Sequence, residues 1–250
     1  LKIEGSSSPA DLFITVDVGK LWQAGDMDLL QKFEDETIKT SIKKEFLDPN
    51  NFWVPITYRS RIIVYSKDRV NKDELDSYES LANEKWKNRL LIRSSSNSYN
   101  QALMSSIIAN NGSIAAEEWS SKVVSNLARD PKGNDRDQVK AIASGQGDLA
   151  VVNSYYIGLL LSSEKEEELK AGKSVGVFFP NQGEGQRGAH INVSGIALTK
   201  NSPNKDNAIK LIAYLTSSAA QKTYVDNTYE YSINPDIEPN EIVKQWGDFK

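Results

Sequence analysis

The chain has 250 residues, with 30 Lys and Arg against 34 Asp and Glu, for a formal charge of −4. That balance speaks against a nucleic-acid partner, which needs a basic face, and no apolar run approaches the ~20 residues that cross a bilayer. There is no cysteine and a single histidine, His190, so disulfides, thiolate metal sites, cysteine nucleophiles and any site built on two imidazoles are excluded.

The chain opens on "LKIEGSSSPADLFITVD", which has neither an initiator methionine nor the basic-then-apolar profile of a signal peptide. The expectation is therefore that an upstream segment precedes residue 1. "ADLFITVD" (10–17) reads as a short strand after a Ser-Pro turn, and "VGKLWQAGDMDLLQKF" as a helix with a turn at Gly25-Asp26. "DPNNFWVPITY" reads as a loop carrying Trp53 and Pro55, followed by the strand "RSRIIVYSKD" (59–68). The continuous apolar centre of that strand suits one covered on both faces.

"DSYESLANEKWKN" predicts a helix capped by Asp76 or Ser77, and "RLLIRSSS" the next strand. "SYNQALMSSIIANNG" predicts a helix stopped by Gly112, and "IAAEEWSSKVVSNLA" another. "DRDQVKAIASGQG" is a helix ended by Gly145 and Gly147, "DLAVVN" a strand, and "EKEEELKAG" a charged, solvated helix end. "VGVFFPNQGEGQRGAHINVSGIALTK" reads as two strands joined by a Gly-rich crossing, and "NKDNAIKLIAYLTSSAAQKTYV" as one periodic helix.

Strands alternating with helices indicate an α/β protein with mostly parallel strands. The extended segments 56–66 and 175–200 have the length to cross between two lobes. Ligands of open α/β sheets sit outside the carboxyl ends of strands. The stretches Thr15–Asp17, Ser94–Tyr99 and Asn153–Tyr156 therefore matter most.

"NSYY" ends a strand in two adjacent phenols, Tyr155 and Tyr156. One ring could pack in the core while the other faces solvent. Alternatively both face a cleft, where neutral phenols would hydrogen-bond a ligand and phenolates would bind a hard cation. Ionising a phenol with a reference pKa near 10 takes a highly charged ion, and three phenolates balance one ferric ion. "RSSSNSYNQAL" (93–103) caps a helix through Ser96, Asn97 or Ser98, or else holds an anion on its amides, and it brings a third phenol, Tyr99. In "YRSR", alternation puts Arg59 and Arg61 on one face, to balance a phenolate, hold an anion or form surface ion pairs. The glycines of "NQGEGQRG" (181–188) match no nucleotide fingerprint and read as a loop. His190 reads as a structural residue at the hinge.

These segments resemble, in order and over nearly the whole chain, the periplasmic ferric-ion-binding proteins of iron ABC transporters, in particular their tyrosine-rich branch. The resemblance rests on "SPADLFITVDVGKLWQAG", "LDPNNFWVPITYRSRIIVYSKDRV", "SYESLANEKWKNRLLIRSSSNSYNQAL", "GDLAVVNSYYIGLL", "FFPNQGEGQRGAHINVSGIALTKNSPNKDNAIKLIAYLTS" and "NTYEYSIN". It implies the two-lobed periplasmic-binding-protein fold (type II), with the ligand in the interlobe cleft. The lobe limits expected are 1–57 with 181–232, and 58–180 with 233–250.

The resemblance also implies a periplasmic, monomeric, non-enzymatic carrier that captures ferric iron (Fe3+) and delivers it to an inner-membrane ABC permease. Tyr99, Tyr155 and Tyr156 would be the metal ligands. Arg59 would compensate charge, and Asn153 and Ser96 would stand by the ligands or by a synergistic anion such as carbonate. The family starts with a strand, a ligand-bearing turn and a helix that this chain lacks, so further ligands are expected before residue 1, and weak or open ferric coordination from this chain alone. Capture of a small anion or organic ligand in the same fold, or a transferase-type enzyme, are the other readings; no nucleophile–base pair supports the last.

Overall fold

The computed structural model describes residues 1–250. In chain order the elements are β1 (Leu12–Thr15), α1 (Val18–Asp26), α2 (Glu36–Thr40), β2 (Trp53–Ser66), β3 (Leu90–Leu91), α3 (Ser98–Asn111), α4 (Ser113–Ser125), α5 (Asp135–Ala143) and β4 (Leu149–Asn153). Then come α6 (Tyr155–Leu161), α7 (Glu166–Ser174), β5 (Val175–Phe178), β6 (Ile191–Leu198), α8 (Lys205–Thr216), α9 (Ser218–Thr228), β7 (Tyr231–Ser232) and α10 (Glu241–Lys244). The chain forms two compact units, residues 1–59 with 192–240, and residues 60–191 with 241–250. The sequence put the corresponding changes near 57, 180 and 232; the packing divides the chain at 59, 191 and 240.

In the first unit, β1 lies antiparallel to β6, Leu12 facing Leu198 and Thr15 facing Gly195. β7 lies antiparallel to the first half of β2, Tyr58 facing Tyr231. Ile38, Val54, Ile56, Ile196, Leu198 and Ile212 form the core. A buried amide locks this unit: Gln221 donates to the carbonyls of Ile56 and Leu215, and its oxygen accepts from Ser232 Oγ and the Ile233 amide. A buried polar side chain satisfied on every side specifies one arrangement of the elements it joins.

In the second unit, the other half of β2 is the central strand. It runs antiparallel to β4, from Arg61 opposite Asn153 to Tyr65 opposite Leu149, and antiparallel to β5. β3 runs parallel to β4. Alternation sends Ile62 and Val64 into one core, with Val139, Ile142, Val152 and Leu160. Ile63 goes to the other, with Tyr78, Trp86, Leu103, Ile107 and Val151. Both faces are covered, as the continuous apolar run required.

Four expectations change. The strands are not mostly parallel: of the pairs just described, only β3–β4 is. Strand–helix alternation reports what connects two strands, and β2, which carries the chain from one unit to the other, meets strands running back against it. The predicted loop from 48 to 58 becomes strand from Trp53 onward, Pro55 included. The helix expected after Asp76 is instead two 3-10 turns, Glu79–Ala82 and Glu84–Trp86. Trp119 takes the Tyr78 carbonyl, and the Asn126 amide takes those of Leu81 and Asn83. Tertiary donors have claimed the acceptors an α-helix would need. Finally, the long periodic helix near the end is two helices, broken where Ser217 turns extended and caps α9 by accepting from Ala220.

Asp148, just ahead of β4, accepts from Nε of both Arg69 (2.5 Å) and Arg89 (2.7 Å). Burial alone would raise its carboxyl, but the two arginine hydrogen bonds outweigh it and hold the group below the ordinary 3.8. A depressed folded pKa contributes stability above the unfolded value, which disappears as pH falls through the folded one. Asp148→Asn is therefore expected to cost about 1 kcal/mol at neutral pH, for a partly exposed pair of ion pairs. Thermal melts at neutral and acid pH check this: the gap should close in acid, and a gap independent of pH would contradict it.

Candidate functional site

The tyrosine pair stands where β4 gives way to α6. β4 is buried along its length and ends at Asn153. Ser154 is held against β2 from both sides, its amide on the Ser60 carbonyl (2.9 Å) and its hydroxyl accepting from the Ser60 amide (3.3 Å). Helix α6 opens directly on Tyr155 and Tyr156, whose rings lie 4.2 Å apart at 32°. Both are half-buried.

Tyr99 arrives from another element. Asn97 caps α3 by accepting from the Tyr99 amide (3.0 Å), so the phenol sits in the first turn. Burial, followed by hydrogen bonding and charge from the Tyr156 and Tyr99 phenols, pushes the Tyr155 phenol far above its ordinary 10.0. Tyr156 is raised too, mainly by burial and then by Tyr99 and the Asp135 carboxylate, against a hydrogen bond from Tyr155 and the positive charge of Arg93. The structure thus brings Tyr99, Tyr155 and Tyr156 into one cluster within the second unit.

Beside the phenols lies a charged group that sequence reasoning touched only through Arg61. Asp135, fully buried at the first position of α5, accepts from Arg61 Nη1 (2.6 Å), Arg93 Nη1 (3.0 Å) and the Asn153 amide (2.8 Å). Arg61 also donates to the Asn153 side-chain oxygen (3.2 Å) and, through Nη2, to Asn100 Oδ1. The Arg61 and Arg93 guanidiniums stand 5.9 and 5.4 Å from the centre of the Tyr99 ring, and that of Arg136 6.0 Å from Tyr156. Three buried donors here, Arg61 Nε, Arg93 Nε and Asn153 Nδ2, have no partner.

Asn153 is therefore part of the cluster's framework. Ser96 is exposed, its hydroxyl against Ser94 Oγ and its amide donating to the same atom. Arg59 belongs to the first unit, where its Nη1 donates to Ser194 Oγ (3.0 Å). Arg61, two residues on along the same strand, stands beside Tyr99. His190 serves through its backbone, accepting from the Arg61 amide and donating to Tyr78 Oη. Asp135 and Arg93 were missed. Their only signals were an acid immediately after the Asn134 helix cap and an arginine closing an apolar strand, both common in surface positions.

No group of three His, Cys, Asp or Glu side chains could hold a metal. Chemically the cluster offers phenol oxygens, which are hard ligands once ionised, next to buried positive charge. Of the two, only the ionised phenol oxygens are ligands for a cation of high charge.

The family model "Bacterial extracellular solute-binding protein" matches residues 2–250. Iron uptake protein A1 of Synechocystis sp. (strain ATCC 27184 / PCC 6803 / Kazusa) is 43% identical over 250 residues, 100% of this chain and 69% of that protein. The major ferric iron-binding protein of Neisseria meningitidis serogroup A is 29% identical over 239 residues, 95% of this chain and 70% of its own. Among solved structures, a Trichodesmium FutA (IdiA) in complex with iron and citrate ligands superposes with a TM-score of 0.95 at 43% identity, covering 100% of this chain and 78% of the other. A ferric binding protein from Campylobacter jejuni gives 0.94 at 41%, over 99% and 78%.

Proposed function

The chain belongs to the bacterial extracellular solute-binding protein family, and on that premise we propose that it captures ferric iron at Tyr99, Tyr155 and Tyr156 and delivers it to an inner-membrane ABC permease. The observation that carries this reading is the convergence of three phenols from two helix starts, in a structure where no His, Cys, Asp and Glu group could hold a metal. Phenols raised by burial are neutral at physiological pH. A ferric ion supplies enough field to displace their protons, and three phenolates then cancel its charge. The protein does no chemistry on its cargo and works in the periplasm as a monomer. Relatives named for iron uptake and ferric-iron binding support the assignment.

A small anion completes the shell in this reading. Asn153 Nδ2 and the Nε atoms of Arg61 and Arg93, buried without partners, are donors for carbonate or a carboxylate. The same unpartnered donors favour a second reading, an anion carrier that needs no metal.

Ferric phenolate complexes absorb visible light, so titration with ferric nitrilotriacetate should colour the protein. Calorimetry with phosphate, carbonate and citrate in metal-free buffer separates the readings. Anion binding with no colour would favour the second and remove the first.

A further inference from the structure

We propose that Asp135 is the positioning residue of the tyrosine cluster, the group that holds its two ligand-bearing segments at a set separation; the proposal rests on the ferric reading above. Tyr99 stands on α3, while Tyr155 and Tyr156 stand on α6. These helices start after different strands, and no covalent feature near the phenols relates them. Asp135 reaches both. Its Oδ2 accepts from the Asn153 amide (2.8 Å), two residues before Tyr155, and from Arg61 Nη1 (2.6 Å). Arg61 passes the connection on through Nη2 to Asn100 Oδ1, in the residue following Tyr99. Oδ1 of Asp135 takes Arg93 Nη1 (3.0 Å), and Asn100 closes the circuit by donating to the Arg93 carbonyl (2.8 Å).

One carboxylate therefore fixes the strand end before the tyrosine pair, the strand end before Tyr99, and the first turn of the helix that carries Tyr99. It is fully buried, so its hydrogen bonds act in a low dielectric where displacement is costly. The two guanidiniums it holds flank the Tyr99 ring at 5.9 and 5.4 Å. Without the carboxylate both would carry uncompensated positive charge beside the phenol ring, where it opposes the cation. Second-layer groups of this kind orient metal ligands, and their loss commonly weakens binding 10–100-fold.

The chain carries its own control. Asp148 has the same arrangement, one carboxylate between Arg69 and Arg89, but away from the phenols. The experiment is a ferric nitrilotriacetate titration of wild type, Asp135→Asn, Asp148→Asn and Asn100→Ala, read by visible absorption, with circular dichroism melts to establish the folded fraction. Folded Asp135→Asn should bind about 10–100-fold more weakly, with its phenolate-to-iron band displaced, while Asp148→Asn keeps the wild-type band and affinity. A merely structural role would lower the melting temperature and leave the band of the folded fraction in place.

If wild type takes colour and folded Asp135→Asn matches it in band and affinity, the proposal is overturned and the ferric reading stands. If wild type takes no colour, the ferric reading itself fails. If Asp135→Asn does not fold, Asn100→Ala decides, because it cuts the same connection at a half-buried, uncharged residue. A weaker, displaced band there supports the proposal, and a wild-type band overturns it.

Discussion

Replacing Tyr155 and Tyr156 together by phenylalanine should abolish the visible colour of the ferric-loaded protein and lower ferric affinity on the order of 10⁴-fold. Four-ligand structural metal sites are worth about 10–16 kcal/mol, so each ligand carries roughly 3 kcal/mol, and two ligands four powers of ten. Phenylalanine keeps both rings, their 4.2 Å contact and the apolar half of their burial. The fold should hardly notice: a lost hydrogen bond is worth about 1 kcal/mol, and removing two hydroxyls whose ionisation burial already disfavours relieves part of a desolvation cost. The measurement pairs a visible titration with a thermal melt. Colour surviving in the double variant would place the iron elsewhere. Colour lost along with the fold would leave the single variants, each expected to keep a weaker and displaced band, to decide.

The second large effect is on pH. Burial and the neighbouring phenols raise the pKa of Tyr155, and burial chiefly that of Tyr156. In the metal-free protein both are therefore protonated below 10.0, the ordinary phenol value. Binding must expel both of those protons, so affinity climbs by at least about a hundredfold for each unit of rising pH. Competition against a chelator of known pH behaviour, at several values between mildly acid and neutral, gives the slope. A slope near zero would mean that no phenol loses a proton, and would remove the phenolate assignment. The metal-free protein has its own signature. Groups raised in the fold stabilise it fully below their unfolded value and lose that contribution as pH rises through the folded one. Its melting temperature should therefore fall in strong alkali, above 10.0, while the ferric-loaded form resists.

Much of the local structure was legible. The stop at Gly112 (φ 81°) and the turn at Gly145 (φ 78°) lie where glycine was expected to end the helices. The apolar centre of β2 demanded two covered faces and has them. One failure came where distant donors overrode a local pattern, Trp119 and Asn126 on the carbonyls of 78 to 83; another came from a local cap, the break at Ser217 inside an apparently unbroken apolar period.

The candidate site divides along the same line. By itself the sequence determined the chemistry on offer. One histidine and no cysteine leave oxygen ligands, and phenols at the ends of two strand segments mark where a hard cation could be met. These are matters of residue type and local period, which neighbours along the chain decide. The tertiary structure alone decided which charges stand beside the phenols. Residues 61, 93, 135 and 153 are far apart in sequence, and alternation along β2 makes Arg59 and Arg61 equivalent. Only the packing of α5 against β4 brings Asp135 to Arg61, to Arg93 and to the Asn153 amide. A fully buried carboxylate is tolerable only with such partners, and no local sequence pattern records where they will come from.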